Sequence, residues 1–181
     1  SVLKIDPSTD TVSTFGSLSG SLKWAGAALA PNGYIYCAPS NATSVLKIDP
    51  STDTVSTFGS LSGSLKWAGA ALAPNGYIYC APSTATSVLK IDPSTDTVST
   101  FGSLSGSLKW AGAALAPNGY IYCAPSNATS VLKIDPSTDT VSTFGSFSGP
   151  SRWIGAVLAP NGSIYCAPAN ATSVLKIDPS T

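Results

Sequence analysis

The chain repeats a unit of 43 residues, and this period restricts its fold more than any other feature of the sequence. Four copies occupy residues 1–43, 44–86, 87–129 and 130–172, and residues 173–181 repeat the first nine residues of the unit. The second copy differs from the first only at Thr84, which replaces Asn41, and the third is identical to the first. The fourth copy differs most. Such near-identity indicates recent duplication or deliberate concatenation of one unit.

Each unit contains four short segments that favour strands, which lie at 24–30, 34–38, 45–48 and 54–58 for the first complete set. Asn32-Gly33 between the first two segments predicts a tight hairpin. Asp49-Pro50 predicts a turn after the third, because Asp accepts backbone hydrogen bonds and Pro presets its own φ. The Ala-rich first segment is too short for a stable helix and contains Gly26. Four antiparallel strands per unit are therefore expected.

This number of strands in a repeat of roughly 40 to 45 residues is typical of a β-propeller blade. The segment 24–30 is apolar at every position, as expected for a strand that neighbouring blades cover on both faces. A solenoid of stacked sheets is the alternative, but its repeats usually hold fewer strands in parallel pairing. The sequence thus predicts an all-β fold, a β-propeller of four-stranded antiparallel blades, in a single domain over residues 1–181.

Two stretches of the unit carry a resemblance to known proteins: Trp-x-Gly-Ala-x-Leu-Ala-Pro-Asn-Gly-x-Ile-Tyr and Ser-Val-Leu-Lys-Ile-Asp-Pro-Ser-Thr-Asp-Thr-Val. They resemble the blades of repetitive β-propellers of the NHL, YncE-like and PQQ-type groups, over the whole chain. The resemblance implies six to eight blades in one ring, whereas this chain has four repeats. It implies little about function, since such propellers include scaffolds, lectins and enzymes.

The two ends of the chain are complementary in strand content. Residues 2–5 and 11–15 lack an inner pair of strands, and the last unit lacks an outer pair apart from 174–177. Joining the ends completes a fourth blade and removes exposed strand edges, with one third-strand copy left over. Closure within a chain gives a four-bladed monomer, and closure between two chains gives an eight-bladed ring. We expect the dimer.

The composition excludes several classes of function. The chain has no His, Glu or Met, and nine Lys and Arg balance nine Asp. Zero net charge without basic clusters argues against nucleic acid and anionic membranes as partners. The absence of His removes the commonest general base and metal ligand. We therefore predict a soluble protein with no catalytic residues, no metal and no cofactor.

Cysteine and aspartate recur once or twice per unit at fixed positions. The cysteines lie at equivalent places on separate blades, so we predict buried free thiols, which favour a reducing compartment. The Asp-x-x-x-Asp segments could hold calcium, but turn formation explains them better.

The loop between the fourth and first strands is the longest connection and places a cation beside an aromatic residue. We predict that this face binds a ligand, if any does. Its candidate residues are Lys23, Trp24, Lys66, Trp67, Lys109, Trp110, Arg152, Trp153, Asn41, Asn127 and Asn170. The cations would add their fields around one axis and attract a polyanion, or the Trp rings would stack on glycans with Asn as polar contacts. The alternative for Trp is packing between blades.

The first interpretation is a structural scaffold that self-assembles, most simply as a homodimer, through strands exchanged at its termini. The second is a multivalent lectin-like or anion-binding module that uses the Lys/Trp loop face. An enzyme ranks third, because the only acid–base candidates are aspartates in turns.

Overall fold

A computed structural model describes residues 1–180 and contains seventeen β-strands, with no helix in that range. The strands, in chain order, are β1 Val2–Asp6, β2 Thr11–Phe15, β3 Trp24–Leu29, β4 Ile35–Pro39, β5 Val45–Asp49, β6 Thr54–Phe58, β7 Trp67–Leu72, β8 Ile78–Pro82, β9 Val88–Asp92, β10 Thr97–Phe101, β11 Trp110–Leu115, β12 Ile121–Pro125, β13 Val131–Asp135, β14 Thr140–Phe144, β15 Trp153–Leu158, β16 Ile164–Pro168 and β17 Leu175–Ile177.

The strands form five antiparallel sheets in which sequence neighbours pair. We call β3–β6 the first blade, β7–β10 the second blade and β11–β14 the third blade; each is a four-stranded sheet. β1 and β2 form a two-stranded N-terminal hairpin, and β15–β17 form a three-stranded C-terminal sheet. The prediction of an all-β propeller with four-stranded antiparallel blades is confirmed, and each strand lies within a residue of its predicted limits.

The innermost strands pack so closely that only glycine fits at one position. Each has a register shift after its Trp, as between Trp24 and Ala27 against β4. Gly69 lies in the equivalent bulge of β7, between Trp67 and Ala70, with φ +103°. A Cβ there would stand 2.6 Å from Cα of Gly112 in the next blade. No real side chain tolerates that distance. The unit therefore requires glycine where the blades converge.

Hydrophobic cores lie between successive sheets and not within them. The core between the first and second blades joins Tyr36, Ala38 and Val45 on one side to Trp67 and Ile78 on the other. The same arrangement recurs between the second and third blades, and between the third blade and the C-terminal sheet. The N-terminal hairpin covers the first blade through Val2 and Phe15. Each sheet therefore has a forward face and a backward face, and both are apolar.

The sheets form an arc with two free ends. The first, second and third blades and the C-terminal sheet pack in series through β3, β7, β11 and β15. Within residues 1–180 no strand pairing joins the N-terminal hairpin to the C-terminal sheet. A Cβ on Gly155 of β15 would meet no atom within 4 Å, unlike its equivalents in the blades before it. Among the described residues, the arc thus begins with a sheet of two strands and ends with a sheet of three.

Candidate functional site

A polar clamp joins each blade to the next at the turn between the third and fourth strands. Between the first and second blades, Lys47 Nζ donates to Asp96 Oδ2 at 2.6 Å, and the Tyr36 hydroxyl donates to Asp96 Oδ1 at 2.9 Å. Asp96 has φ +53°, in the left-handed region that Asp tolerates better than most residues. One carboxylate therefore receives a cation and a hydroxyl from the preceding blade.

Two further contacts hold the clamp in place. Asn32 Nδ2 donates to the Tyr36 hydroxyl oxygen at 3.0 Å and to the Pro93 carbonyl at 2.7 Å. The Lys47 ammonium also lies 4.1 Å from the centre of the Tyr34 ring, within range of a cation–π contact. The second and third blades repeat the clamp with Lys90, Tyr79 and Asp139. Asn32 thus orients the Tyr36 hydroxyl and also holds the turn that carries Asp96.

The surroundings of the clamp keep lysine charged and tyrosine neutral. The hydrogen bond to Asp96 raises the pKa of Lys47 above its ordinary value. Burial, more than the neighbouring Asp96, raises the pKa of Tyr36, and burial likewise raises the pKa of Tyr79. At neutral pH both groups therefore keep their protons and donate hydrogen bonds to the carboxylate.

At the free ends of the arc the clamp is divided. Lys133 and Tyr122 of the third blade occupy the donor positions, but no carboxylate lies beside them among residues 1–180. Lys133 contacts the Tyr120 ring, 3.8 Å from its centre, and Tyr122 accepts a hydrogen bond from Asn118. Asp10 of the N-terminal hairpin has the φ of a clamp aspartate, +53°, and no cation within reach in the described chain. In the described residues, the third blade thus has two clamp donors without an aspartate, and the N-terminal hairpin has a clamp aspartate without a lysine.

At the first blade, a clamp has its lysine and aspartate but lacks its tyrosine. Lys4 of β1 already bonds Asp53 of the first blade at 2.8 Å. The tyrosine that would complete this clamp is Tyr165 of β16, since it corresponds to Tyr36. Its hydroxyl accepts a hydrogen bond from Asn161, and the described residues place no carboxylate next to it. The N-terminal hairpin thus contacts the first blade as the outer strands of one blade contact the next, and no other described strand pairs with it.

Apolar side chains are exposed on the same surfaces. On the backward face of the N-terminal hairpin, Leu3, Ile5 and Val12 are 60%, 62% and 68% exposed. Their equivalents Leu46 and Ile48 are buried in the first blade. At the other end Phe144 is 42% exposed, and Val157 and Val174 of the C-terminal sheet are also exposed. Both ends therefore present surfaces that the interior of the arc buries.

The predicted cationic residues lie between blades. The Lys66 ammonium is buried and donates to the carbonyls of Ser40, Ala42 and Gly63 at 2.7 to 2.9 Å. Lys109 makes the equivalent three bonds, and Arg152 donates to the Gly149 and Ala128 carbonyls. Burial lowers the pKa of Lys66 and of Lys109. Lys23, in the first blade, bonds only the Gly20 carbonyl within residues 1–180. These cations are directed at backbone carbonyls, and Lys66, Lys109 and Arg152 each bond at least one carbonyl in a loop of the preceding blade.

The predicted aromatic and amide residues also bond the backbone. The indoles of Trp67, Trp110 and Trp153 are buried, that of Trp24 is half-buried, and all four donate to a backbone carbonyl 20 residues on. Asn41 Oδ1 accepts from Leu65 N, and Asn127 Oδ1 accepts from Ser151 N. Asn170 is exposed at the free end. Packing between blades, the alternative weighed for Trp, thus agrees with its burial.

Surface cavities recur beside these loops. One of about 540 Å³ lies next to Trp24 and is lined by Ser17, Ser19, Lys23 and Asn41. Equivalent cavities of about 420 and 510 Å³ lie beside Trp110 and Trp153. Each is lined by hydroxyl groups, one amide, one cationic side chain and a Trp ring, and the cavity beside Trp153 also includes Phe147.

The cysteines and the first aspartate of each turn are placed as predicted. Cys37, Cys80, Cys123 and Cys166 are free and buried. Asp49 Oδ1 accepts from Ser51 N and Oγ at 2.8 and 2.6 Å, which closes the turn and lowers the pKa of Asp49. In residues 1–180 no three Cys or Asp side chains converge as metal ligands would.

The sequence pattern does not predict the clamp. It indicates only strands for the segments that contain Lys47 and Tyr36, and only a turn for Asp96. The available signal was that all three recur with the same period. The period cannot show that Lys47 meets the aspartate of the next blade, because that depends on how far adjacent sheets are offset.

Comparison with known proteins identifies the repeat and the fold. A family model described as a repeat of unknown function, DUF6923, matches residues 32–181. No curated protein shows a significant match to the sequence.

Several solved structures share the fold at low identity. Virginiamycin B lyase from Staphylococcus aureus superposes with a TM-score of 0.77 at 10% identity, over 99% of this chain and 63% of that protein. Hydrazine synthase from Kuenenia stuttgartiensis gives 0.68 at 18% identity, over 91% of this chain and 50% of its own. An auxiliary nutrient binding protein from Bacteroides ovatus superposes with a TM-score of 0.67 at 16% identity, over 86% of this chain and 38% of that protein.

The chain therefore spans between about a third and two thirds of the propellers that it resembles. Their functions differ from one another, so the likeness establishes the β-propeller fold alone. Within residues 1–180 no helix is long and apolar enough to cross a membrane.

Proposed function

The chain belongs to the DUF6923 family of repeats, whose description assigns no activity, and from its geometry we propose that it is a scaffold that assembles head to tail with a second copy. The N-terminal hairpin of one copy supplies the outer strands of a blade, and β15 and β16 of the other copy supply the inner strands. Two such blades close an eight-bladed ring of two chains.

The observation that carries this proposal is the divided clamp. In the ring, Asp10 of one copy would reach Lys133 and Tyr122 of the other, as Asp96 reaches Lys47 and Tyr36 within the chain. Tyr165 would in turn reach Asp53, which Lys4 already bonds. Every clamp then has its lysine, tyrosine and aspartate. No new type of contact is needed.

The exposed apolar residues support the same arrangement. Leu3, Ile5 and Val12 would cover Tyr122 and the exposed Phe144, just as the second blade covers Tyr36 and Phe58. Gly26 of one copy would meet Gly155 of the other, which has open space beside it. Burial of these side chains removes apolar surface from water and stabilises the closed form.

The predicted binding residues take part in this closure. Lys23 would reach the carbonyls of the 169–171 loop, the counterparts of those that Lys66 bonds. Asn170 Oδ1 would accept from Leu22 N, as Asn41 Oδ1 accepts from Leu65 N. This role uses residues that at present have few partners.

Closure within one chain is less well supported. It would require the first blade to pack on the C-terminal sheet of the same copy, and those surfaces are the exposed ends of the arc. The arc also superposes on about two thirds of a larger propeller, so its curvature suits a ring with more than four blades.

Native mass spectrometry tests the proposal directly. We expect a mass of twice the chain mass of 18.2 kDa. A single-chain mass at all concentrations, or a series of masses at every multiple, would contradict a closed ring of two copies.

A charge exchange then tests the clamp itself. Asp10→Lys and Lys133→Asp should each weaken the dimer by at least roughly tenfold, because each change acts at two symmetric interfaces. The double variant, in which the charges are exchanged, should recover much of the affinity. Equal behaviour of the two single variants and the unsubstituted chain would show that Asp10 does not meet Lys133.

A second candidate function is glycan binding in the recurring cavities beside Trp24, Trp110 and Trp153. Their hydroxyl and amide lining with an aromatic edge favours it, and repetition would add avidity. A glycan array read with the labelled chain tests this candidate, and an array without hits would exclude it.

A further inference from the structure

We infer that β17 is a plug that occupies, within its own chain, the position that β1 of a second copy takes during assembly. This inference rests on the proposed function and names the step that controls it. The segment to be displaced is the one that repeats the start of the chain, residues 173–180.

Sequence identity makes the two strands interchangeable. Residues 1–9 and 173–181 are identical, so β17 and β1 offer the same side chains to β16. β17 pairs with β16 through Ile164↔Ile177, Tyr165↔Lys176 and Cys166↔Leu175. This is the register of β4 with β5, where Ile35 faces Ile48. Only one strand can hold this edge of β16 at a time.

The plug already makes the apolar contacts that β1 would make. Ile177 is 3% exposed and packs with Leu175 against the third blade. Its counterpart Ile5 is 62% exposed on the N-terminal hairpin. The Pro179 carbonyl accepts a hydrogen bond from Asn118, as the Pro93 carbonyl does from Asn32. A second copy must therefore break these contacts before it can form its own.

The hairpin nevertheless offers contacts that the plug lacks. Among the described residues β17 is the edge strand of its sheet and brings no carboxylate to Lys133, whereas the hairpin carries both Asp10 and β2. The hairpin would therefore add a carboxylate for Lys133 and Tyr122, a fourth strand, and Val12 over Phe144. When the hairpin replaces the plug, β1 makes the same contacts that β17 made, and β2 and Asp10 add new ones. The plug should slow and weaken assembly without preventing it.

Two substitutions of the same residue type, in the same short sequence, test this inference with opposite expectations. Ile177→Asp places a charge in the buried plug position and should release β17. Ile5→Asp places the same charge on a side chain that is exposed in the single chain and buried only on assembly. The full chain is used throughout, and the dimer dissociation constant is measured by sedimentation equilibrium.

We expect Ile177→Asp to tighten the dimer by roughly tenfold and Ile5→Asp to weaken it by at least as much, since each burial of isoleucine is worth about that factor. If Ile5→Asp weakens the dimer while Ile177→Asp leaves it unchanged or weaker, β17 is no plug and the strand exchange stands. If the unsubstituted chain and both variants are monomers at every concentration, the proposed function and the plug both fail.

A disulfide lock provides a second measurement if Ile177→Asp disturbs the last sheet. Leu175 is the direct partner of Cys166, and paired residues of antiparallel strands lie near the separation that a disulfide spans. The Leu175→Cys chain should remain monomeric when oxidised, because β17 is then fixed to β16. Reduction should restore the dimer. A dimer that is equally tight in both redox states would overturn the inference.

Discussion

Lys47 and Asp96 are 49 residues apart in the sequence, and their charged groups lie 2.6 Å apart across the boundary between the first and second blades. The spacing is the length of one unit plus six residues, so the contact recurs wherever two units adjoin. It recurs as Lys4 with Asp53 and as Lys90 with Asp139. Lys133, Lys176 and Asp10 are the members of the series without this partner in the described chain.

The hydroxyl of Tyr79 should stabilise the chain, whereas that of Tyr165 should not until assembly. Tyr79→Phe removes a buried hydrogen bond to the Asp139 carboxylate and should cost about 1 to 2 kcal/mol. Tyr165→Phe removes only an exposed contact with Asn161 and should cost less than ~0.5 kcal/mol. Urea unfolding in an Asp10→Lys background, at a concentration at which that chain is monomeric, measures both. Equal losses would show that the clamp contributes nothing.

The three-carbonyl site of Lys66 provides another matched pair. Lys66→Met keeps the apolar stem but leaves three carbonyls without their donor, at a cost of about 2 to 3 kcal/mol. Lys23→Met, at the equivalent position of the first blade, loses one bond to Gly20 and should cost less than ~1 kcal/mol. Thermal unfolding of the two variants in the monomeric background gives the comparison. A greater loss of stability in Lys23→Met than in Lys66→Met would contradict this account of the site.

The glycine contact near the centre of the propeller should tolerate no side chain. In Gly69→Ala the new methyl group would meet backbone atoms of Gly112 at 2.6 Å, so the blades must separate. In Gly76→Ala the methyl group meets nothing within 4 Å, and only the strain of φ +84° remains. We expect Gly69→Ala to be at least about 2 kcal/mol less stable than Gly76→Ala. Denaturant unfolding of both variants decides the matter.

Alkaline pH should destabilise the fold in part through its buried thiols. Burial raises the pKa of Cys37 from its ordinary value of 9.0 to about 11. Between these values the unfolded chain loses the thiol proton and the folded chain keeps it, so stability decreases as pH rises. The contribution is complete below pH 9.0 and is lost as pH passes about 11.

Cys37→Ala isolates that contribution, because every other titrating group is common to both chains. The free energy of unfolding of the variant should decrease less steeply with pH between 9.0 and 11 than that of the parent chain. Parallel curves would mean that the Cys37 thiol ionises alike in the folded and unfolded chains.

Local features of the sequence were sufficient to predict the blades. Asn32-Gly33 and Asp49-Pro50 fix the two turns, and the period fixes how many times they recur. The turn contacts of Asp49 also follow from local chemistry. These properties depend on neighbours within one unit, which the sequence shows directly.

The contacts between units could not be predicted in the same way. Whether Lys66 faces a channel or the carbonyls of Ser40 and Ala42 depends on how adjacent sheets are rotated. The same rotation decides that Lys47 meets Asp96 and not Asp53. The period shows that the aspartates that could contact Lys47 are spaced by whole units, but it does not show which of them Lys47 contacts.

The closeness of Gly69 to Gly112 has a consequence for how such proteins change in size. Every junction, including the one proposed between copies, is formed by the same few groups, so a ring of this kind would have no seam. Gain or loss of 43 residues would alter its circumference without requiring any newly evolved surface. The angle between adjacent blades at this glycine contact would set the circumference. The number of blades in a ring would then depend on the geometry of one backbone contact that every unit repeats.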